Sequence, residues 1–201
     1  RNKIIAGGIN FQTSNATFLS LDASDSNAYK IEEFQRPTFN QFLQGKLVDK
    51  NRYAFLGDIQ DSQNGGQFWM TIVDTNQNVV IEKMYGTPDY EVGRAIVPSQ
   101  DGSLFLLGSS RGYGSEPGFY NQTLLIKTDS LGNELWRTTW GGYFDDCANN
   151  LAATPDGGVI ACGCISEESS SGNSQVAQGY IRKMDAKGNL VWDKTYPYKA
   201  P

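Results

Sequence analysis

Residues 127–136 read Lys127-Thr128-Asp129-Ser130-Leu131-Gly132-Asn133-Glu134-Leu135-Trp136, and residues 183–192 read Lys183-Met184-Asp185-Ala186-Lys187-Gly188-Asn189-Leu190-Val191-Trp192. Both are K-x-D-x-x-G-N-x-x-W. Weaker copies run from Asp22 to Tyr29 and from Asp74 to Ile81, so the Asp anchors stand 52, 55 and 56 residues apart. A second motif alternates with the first. Thr154-Pro155-Asp156-Gly157-Gly158-Val159-Ile160-Ala161-Cys162-Gly163 aligns with Ser99-Gln100-Asp101-Gly102-Ser103-Leu104-Phe105-Leu106-Leu107-Gly108. Asp49 to Gly57 is a worn copy, and Lys3 to Gly7 is the tail of a fourth. Two motifs in constant order at a fixed period mark a repeat architecture.

The last copy shows what one unit contains. An apolar run from Cys147 to Thr154 meets a turn at Asp156-Gly157, where glycine accepts the positive φ of a tight hairpin. A second run spans Val159 to Ile165, a third Tyr180 to Met184 and a fourth Leu190 to Tyr196, with Gly188 in the turn between the last two. Four antiparallel strands in roughly 40 to 50 residues make a β-propeller blade. No helical period is present. The expected fold is therefore all-β, with repeat units at about 1–35 (partial), 40–85, 92–140 and 147–196. Trp136 and Trp192 should hold equivalent places between blades, and Ala161, Gly163, Ala6 and Gly7 suit crowded strands. The first unit supplies three strands, beginning with the second. The chain starts at Arg1, and it reads as processed or as part of a longer protein. Further blades, or a partner chain on the open ends, are expected to complete the propeller.

Composition narrows the function. The net charge is −5 with no basic cluster, which disfavours nucleic acid and anionic membrane surfaces. No stretch has the length of a transmembrane helix. The chain has no His, which removes the commonest general base, the Ser-His-Asp triad and imidazole ligation of metals. Its three cysteines, Cys147, Cys162 and Cys164, are too few for a disulfide framework, and an odd number leaves at least one thiol outside any internal bridge. Buried inert thiols are the expected state. A metal site on Cys162 and Cys164, two apart on one strand, is the alternative.

The run D-x-x-G-N-x-x-W, then G-G-x-x-D-D, then D-G-G-V-I-x-x-G resembles the propeller repeats of secreted and outer-membrane-associated proteins of Bacteroidetes-type bacteria. It is carried by Asp129, Gly132, Trp136, Gly141, Gly142, Asp145, Asp146, Asp156, Gly157 and Gly158. Toward the N-terminus Gln77 and Ile81, then Asp25 and Tyr29, replace the motif Gly and Trp. The resemblance implies an extracytoplasmic address, at the cell surface, outer membrane or periplasm, and a binding or structural role. A more distant likeness, to quinone-dependent dehydrogenase propellers, is weakened by an Asp-to-Gly gap one residue shorter than in their docking motif.

Tight Asp-Gly and D-x-x-G turns fall at one end of the repeat. The longer connections, 58–67, 109–120 and 166–178, fall at the other with the turns 86–91 and 141–146. Function concentrates on loops held by a rigid scaffold, so this end is the candidate binding face. It carries the acids Asp89, Glu91, Asp145 and Asp146, which are either Ca²⁺ ligands or turn stabilisers; Glu91 and Asp146 share a repeat position, which favours the second. It also carries Tyr113, Phe119, Tyr120, Tyr143 and Phe144, which can grip a glycan or a protein or simply pack between loops. Glu167 to Gly172 reads as a solvated loop. A non-catalytic binding or scaffold module is expected, with no cofactor. The rival is a glycan-cleaving or quinone-dependent enzyme.

Overall fold

The computed structural model describes residues 3–22, 24–36, 38–61, 63, 65–113, 120–142, 144–168 and 175–196. Among the described residues all regular structure is β-strand, and there is no helix. The first sheet has three strands, β1 (Lys3–Asn10), β2 (Asn15–Asp22) and β3 (Asp25–Glu33). The second has β4 (Asn40–Asp49), β5 (Arg52–Asp61), β6 (Gly65–Asp74) and β7 (Val79–Tyr85). The third has β8 (Glu91–Pro98), β9 (Leu104–Ser110), β10 (Gln122–Thr128) and β11 (Glu134–Trp140). The fourth has β12 (Cys147–Ala153), β13 (Val159–Glu168), β14 (Gln175–Met184) and β15 (Leu190–Tyr196). Every sheet is an antiparallel meander in chain order.

The first repeated motif is a turn built on one carboxylate. Asp129 Oδ1 accepts the N–H groups of Leu131 and Asn133, each at 2.8 Å, and Oδ2 accepts Asn133 Nδ2 at 2.9 Å. Asp185 and Asp74 accept the same three donors in their own turns. These bonds hold the three carboxyls below their ordinary range, the Asn side chain acting most strongly. The fourth residue of the turn is left-handed, with φ 76° at Gly132 and 85° at Gly188. Gln77 takes the same conformation at φ 70° without being glycine. The next strand then enters over a bulge at Lys127/Thr128, Lys183/Met184 and Ile72/Val73.

The lysine of the motif ties this turn to the hairpin across the sheet. Lys183 Nζ donates to Asp156 at 2.7 Å, and Lys127 Nζ lies 3.4 Å from Asp101. Both lysines are buried. Asp101 is held down to about 2, by the Ser103 hydroxyl and N–H before Lys127. By register the second and first sheets carry Ile72 and Leu21 at the lysine position, so neither has this lysine tie.

The glycine ending the second motif also has a steric cause. A Cβ on Gly57, Gly108 or Gly163 would sit 1.8, 2.0 or 1.9 Å from the carbonyl oxygen of Gln41, Val92 or Cys147 on the neighbouring first strand. A bulge lies beside each contact, at Phe42/Gln44, Gly93/Ala95 and Ala148/Asn150. The bulge drives the first strand against the second, and only glycine fits there.

Three apolar clusters join successive sheets. Phe18 of the first sheet stacks on Phe42 of the second at 4.8 Å, and Phe42 stacks on Trp69 at 4.4 Å. Side chains alternate along β9: Leu104 and Leu106 face the second sheet, while Phe105 and Leu107 face the fourth. The third sheet is thus buried on both faces, and every residue of β10 is buried. The first strands converge. Gln44 of β4 accepts from Ile96 N–H of β8 at 2.8 Å and donates to Asn150 of β12 at 3.4 Å, reaching past the third sheet to the fourth.

Trp136 and Trp192 hold equivalent register, opposite Lys127 and Lys183. Only Trp136 lies between sheets, against Gly188. Trp192 is 41% exposed on β15.

The strands differ from the sequence reading in two ways. The connections 58–67 and 166–178 are largely hairpin strand: Asp58 pairs with Phe68, Asp61 with Gly65, Ile165 with Gln178 and Glu168 with Gln175. Glu167 and Glu168 therefore belong to β13 and are not loop, while 169–172 fall outside the described residues. Polar composition misled because a hairpin pairs through its backbone whatever its side chains are. The second difference is a disulfide. Cys147 and Cys164 stand directly opposite on β12 and β13, 4.9 Å apart at Cα, and are bonded. The expectation of inert buried thiols is wrong for this pair, and half-buried Cys162 is the one free thiol.

A thiol reagent should find one free thiol per native, unreduced chain and three after reduction and unfolding. Cys147→Ser should lower stability by about 3 kcal/mol, read by urea unfolding. Three reactive thiols without reductant would contradict the pairing.

Candidate functional site

In each antiparallel meander the second and third strands join at one end, and the link to the next sheet leaves from that same end. The longer connections therefore gather there. What organises them is the residue at or just before the start of each first strand, a place held by Asn40, Glu91 and Asp146.

Glu91 is fully buried. Its carboxylate accepts the Thr87 N–H at 2.7 Å, the Thr87 hydroxyl at 3.0 Å, the Ser110 hydroxyl at 2.8 Å and the Gly112 N–H at 3.3 Å. It fastens the 86–91 turn to the loop after β9. Asp146 does the same in the fourth sheet, accepting Gly142 N–H at 2.9 Å and Ser166 N–H at 2.8 Å. Burial pushes the Asp146 carboxyl up, and those two N–H groups offset part of the rise. Asn40 accepts the Ala16 N–H at 2.7 Å and donates to Thr38 O at 2.8 Å. Sequence reasoning found Glu91 and Asp146 but not Asn40, whose signal was its position alone.

The other two acids act locally. Asp145 accepts the backbone N–H and side-chain amide of Asn121, at 2.8 and 2.9 Å. The Asp89 side chain is exposed, and its N–H donates to Thr87 Oγ1. Among the described residues, no group of three or more His, Cys, Asp or Glu side chains comes together as a metal cage. The four acids are not gathered at one point. Glu91 and Asp146 spend their lone pairs on loop N–H and O–H groups, which is the turn-stabilising role.

Two of the rim aromatics, Phe119 and Tyr143, lie outside the described residues. Tyr113 is locked into the scaffold. Its hydroxyl donates to Gly86 O at 2.8 Å, and the Arg137 guanidinium lies 4.4 Å from its ring centre. Partial burial raises its phenol pKa, and nearby Arg137 counters the rise. Tyr120 and Phe144 remain at the rim, half-buried and edge to face at 5.8 Å. Phe144 also walls a cleft of about 320 Å³ with Gly142, Ser166, Glu167 and Glu168. Glu167 and Asp145 add negative charge beside Asp146. The cleft therefore offers an aromatic edge and acid acceptors on a base fixed by Asp146. Such a surface suits a partner rich in hydrogen-bond donors.

No protein-family model matches this chain, and no curated protein is detectably similar to it.

Glu91→Ala should cost about 2–3 kcal/mol in urea unfolding, because it strands the buried N–H and hydroxyl groups of two loops. Asp89→Ala should cost less than about 0.5 kcal/mol. Equal costs would contradict the organising role of Glu91.

Proposed function

We propose that the four sheets are consecutive blades of a β-propeller, and that the chain is a non-catalytic binding or scaffold module of a bacterial cell-surface or periplasmic protein. The observation that carries this reading is the convergence of first strands, where Gln44 reaches both Ile96 and Asn150. Sheets that merely stacked in a row would keep the second and fourth apart. Sheets arranged around an axis bring their first strands together. Repeated docking of β1 on β4, β5 on β8 and β9 on β12 supports the same geometry.

The resemblance to secreted and outer-membrane-associated repeat proteins of Bacteroidetes-type bacteria supports an address outside the cytoplasm. The Cys147–Cys164 bond agrees, since disulfides persist in oxidising compartments. The partner is a protein or a glycan, met at the loop end through Tyr120, Phe144 and the acid-lined cleft. The buried acids Glu91 and Asp146 serve the scaffold.

A photo-crosslinking residue in place of Tyr120 or Phe144 should give adducts to an envelope protein or glycan in the producing cell. The same residue in place of Lys187, at the tight-turn end, should give none. Adducts of equal yield from both ends would overturn the loop-end assignment.

A further inference from the structure

The Asp turns of the third and fourth sheets are each covered by side chains of the preceding sheet. A Cβ on Gly132 would lie 2.7 Å from Met70 Cε and 3.1 Å from Tyr85 Oη, and one on Gly188 would lie 3.0 Å from the Trp136 ring. The second sheet's turn is closed differently. Gln77 stands at the glycine place in a left-handed conformation that L-residues disfavour. It is 8% exposed, and both its amide oxygen and its amide nitrogen lack a hydrogen-bond partner. Tyr29 has the register of Trp136 but is 62% exposed, so it does not cover the turn.

Between them lies a cleft of about 310 Å³, lined by Ser20, Leu21, Ala28, Tyr29, Lys30, Asn76 and Gln77. Its size is at the lower end of small-ligand sites. Its chemistry is specific. An exposed aromatic face and the apolar Leu21 and Ala28 form one part. The exposed Asn76 amide forms the other, with the Gln77 amide and Ser20 covered just behind it, and Lys30 is already paired with Glu32. An unpaired buried amide wants one donor and one acceptor at close spacing. Adjacent hydroxyls on a ring supply both, and the C–H face of the same ring lies flat on an aromatic.

We propose that this inter-sheet cleft binds the pyranose ring of a neutral saccharide, with Tyr29 as the stacking platform and the Gln77 amide, which rotates from its covered position into the cleft on binding, as the hydroxyl reader. The site lies at the tight-turn end, so it stands apart from the loop-end reading. Keeping Gln77 where glycine would relax the turn is then a functional cost.

The test uses methyl glucopyranoside, methyl galactopyranoside and methyl mannopyranoside as probes, followed by saturation-transfer NMR and by the Gln77 side-chain amide signals. At least one probe should bind and shift those signals. Tyr29→Ala should weaken binding by about tenfold or more. Gln77→Gly should weaken it comparably while raising Tm, because glycine relieves the left-handed residue, so the loss cannot come from unfolding. Tyr120→Ala should leave this binding unchanged, which separates the site from the loop-end rim. The proposal is overturned if none of the three probes binds, or if binding survives both Tyr29→Ala and Gln77→Gly.

Discussion

An aromatic donor of one sheet bonded to a carbonyl in the next sheet's Asp turn is the contact on which the arrangement depends. Tyr85 Oη donates to Gly132 O at 2.7 Å, joining the second sheet to the third. Trp136 Nε1 donates to Ala186 O at 3.1 Å, joining the third to the fourth. Both acceptors belong to turns that a carboxylate holds in shape and a glycine leaves uncovered. The turn is thus not only a reversal of the chain. It is a socket, formed locally by Asp, Gly and Asn and filled from the sheet before it. Burial of the Tyr85 ring raises its phenol pKa, with Glu134 and Asp129 adding to the rise, so the hydroxyl stays a donor across the physiological range. Apolar packing supplies most of the attraction between sheets, but it is non-directional. The socket bonds add the direction.

Much of this is legible in the amino-acid sequence. The repeated motif named Asp129 and Asp185, and the structure gives the reason for its Asp and Asn: the carboxylate accepts two backbone N–H groups and the Asn side chain, an arrangement Asp74 keeps with Gln77 in the fourth place. The equivalence of Trp136 and Trp192 followed from constant spacing. The strand limits of the fourth unit matched closely at its first and last strands. The glycine of the second motif was visible as a repeat, but its cause was not. It depends on a bulge in a different strand, and bulges leave no signature in a single sequence.

The rest was hidden for similar reasons. Cys147 and Cys164 face each other only because the bulge at Ala148/Asn150 sets their register. Hairpins extended by polar residues looked like loops. Gln77 looked like decay of a motif, since substitution at a glycine place does not reveal that the backbone stays left-handed. In the sequence the four candidate acids formed one group, and the shared repeat position of Glu91 and Asp146 did not show that these two reach across to Ser110 and Ser166, while Asp145 bonds Asn121 and the Asp89 side chain is exposed. Of the candidate aromatics, nothing in the sequence distinguished Tyr113, bonded into the scaffold, from Tyr120 and Phe144 at the rim.

If the Asp turn is a socket for the preceding sheet, the bond across it and the shape of the turn must be energetically linked. A double-mutant cycle in urea unfolding between Tyr85→Phe, which removes only the hydroxyl, and Gly132→Ala, which fills the socket and strains the turn, measures this directly. The two changes should be coupled by more than about 0.5 kcal/mol, because each disturbs the same inter-sheet bond. Additivity within about 0.3 kcal/mol would mean that the turn and the preceding sheet are energetically independent, and would contradict the socket.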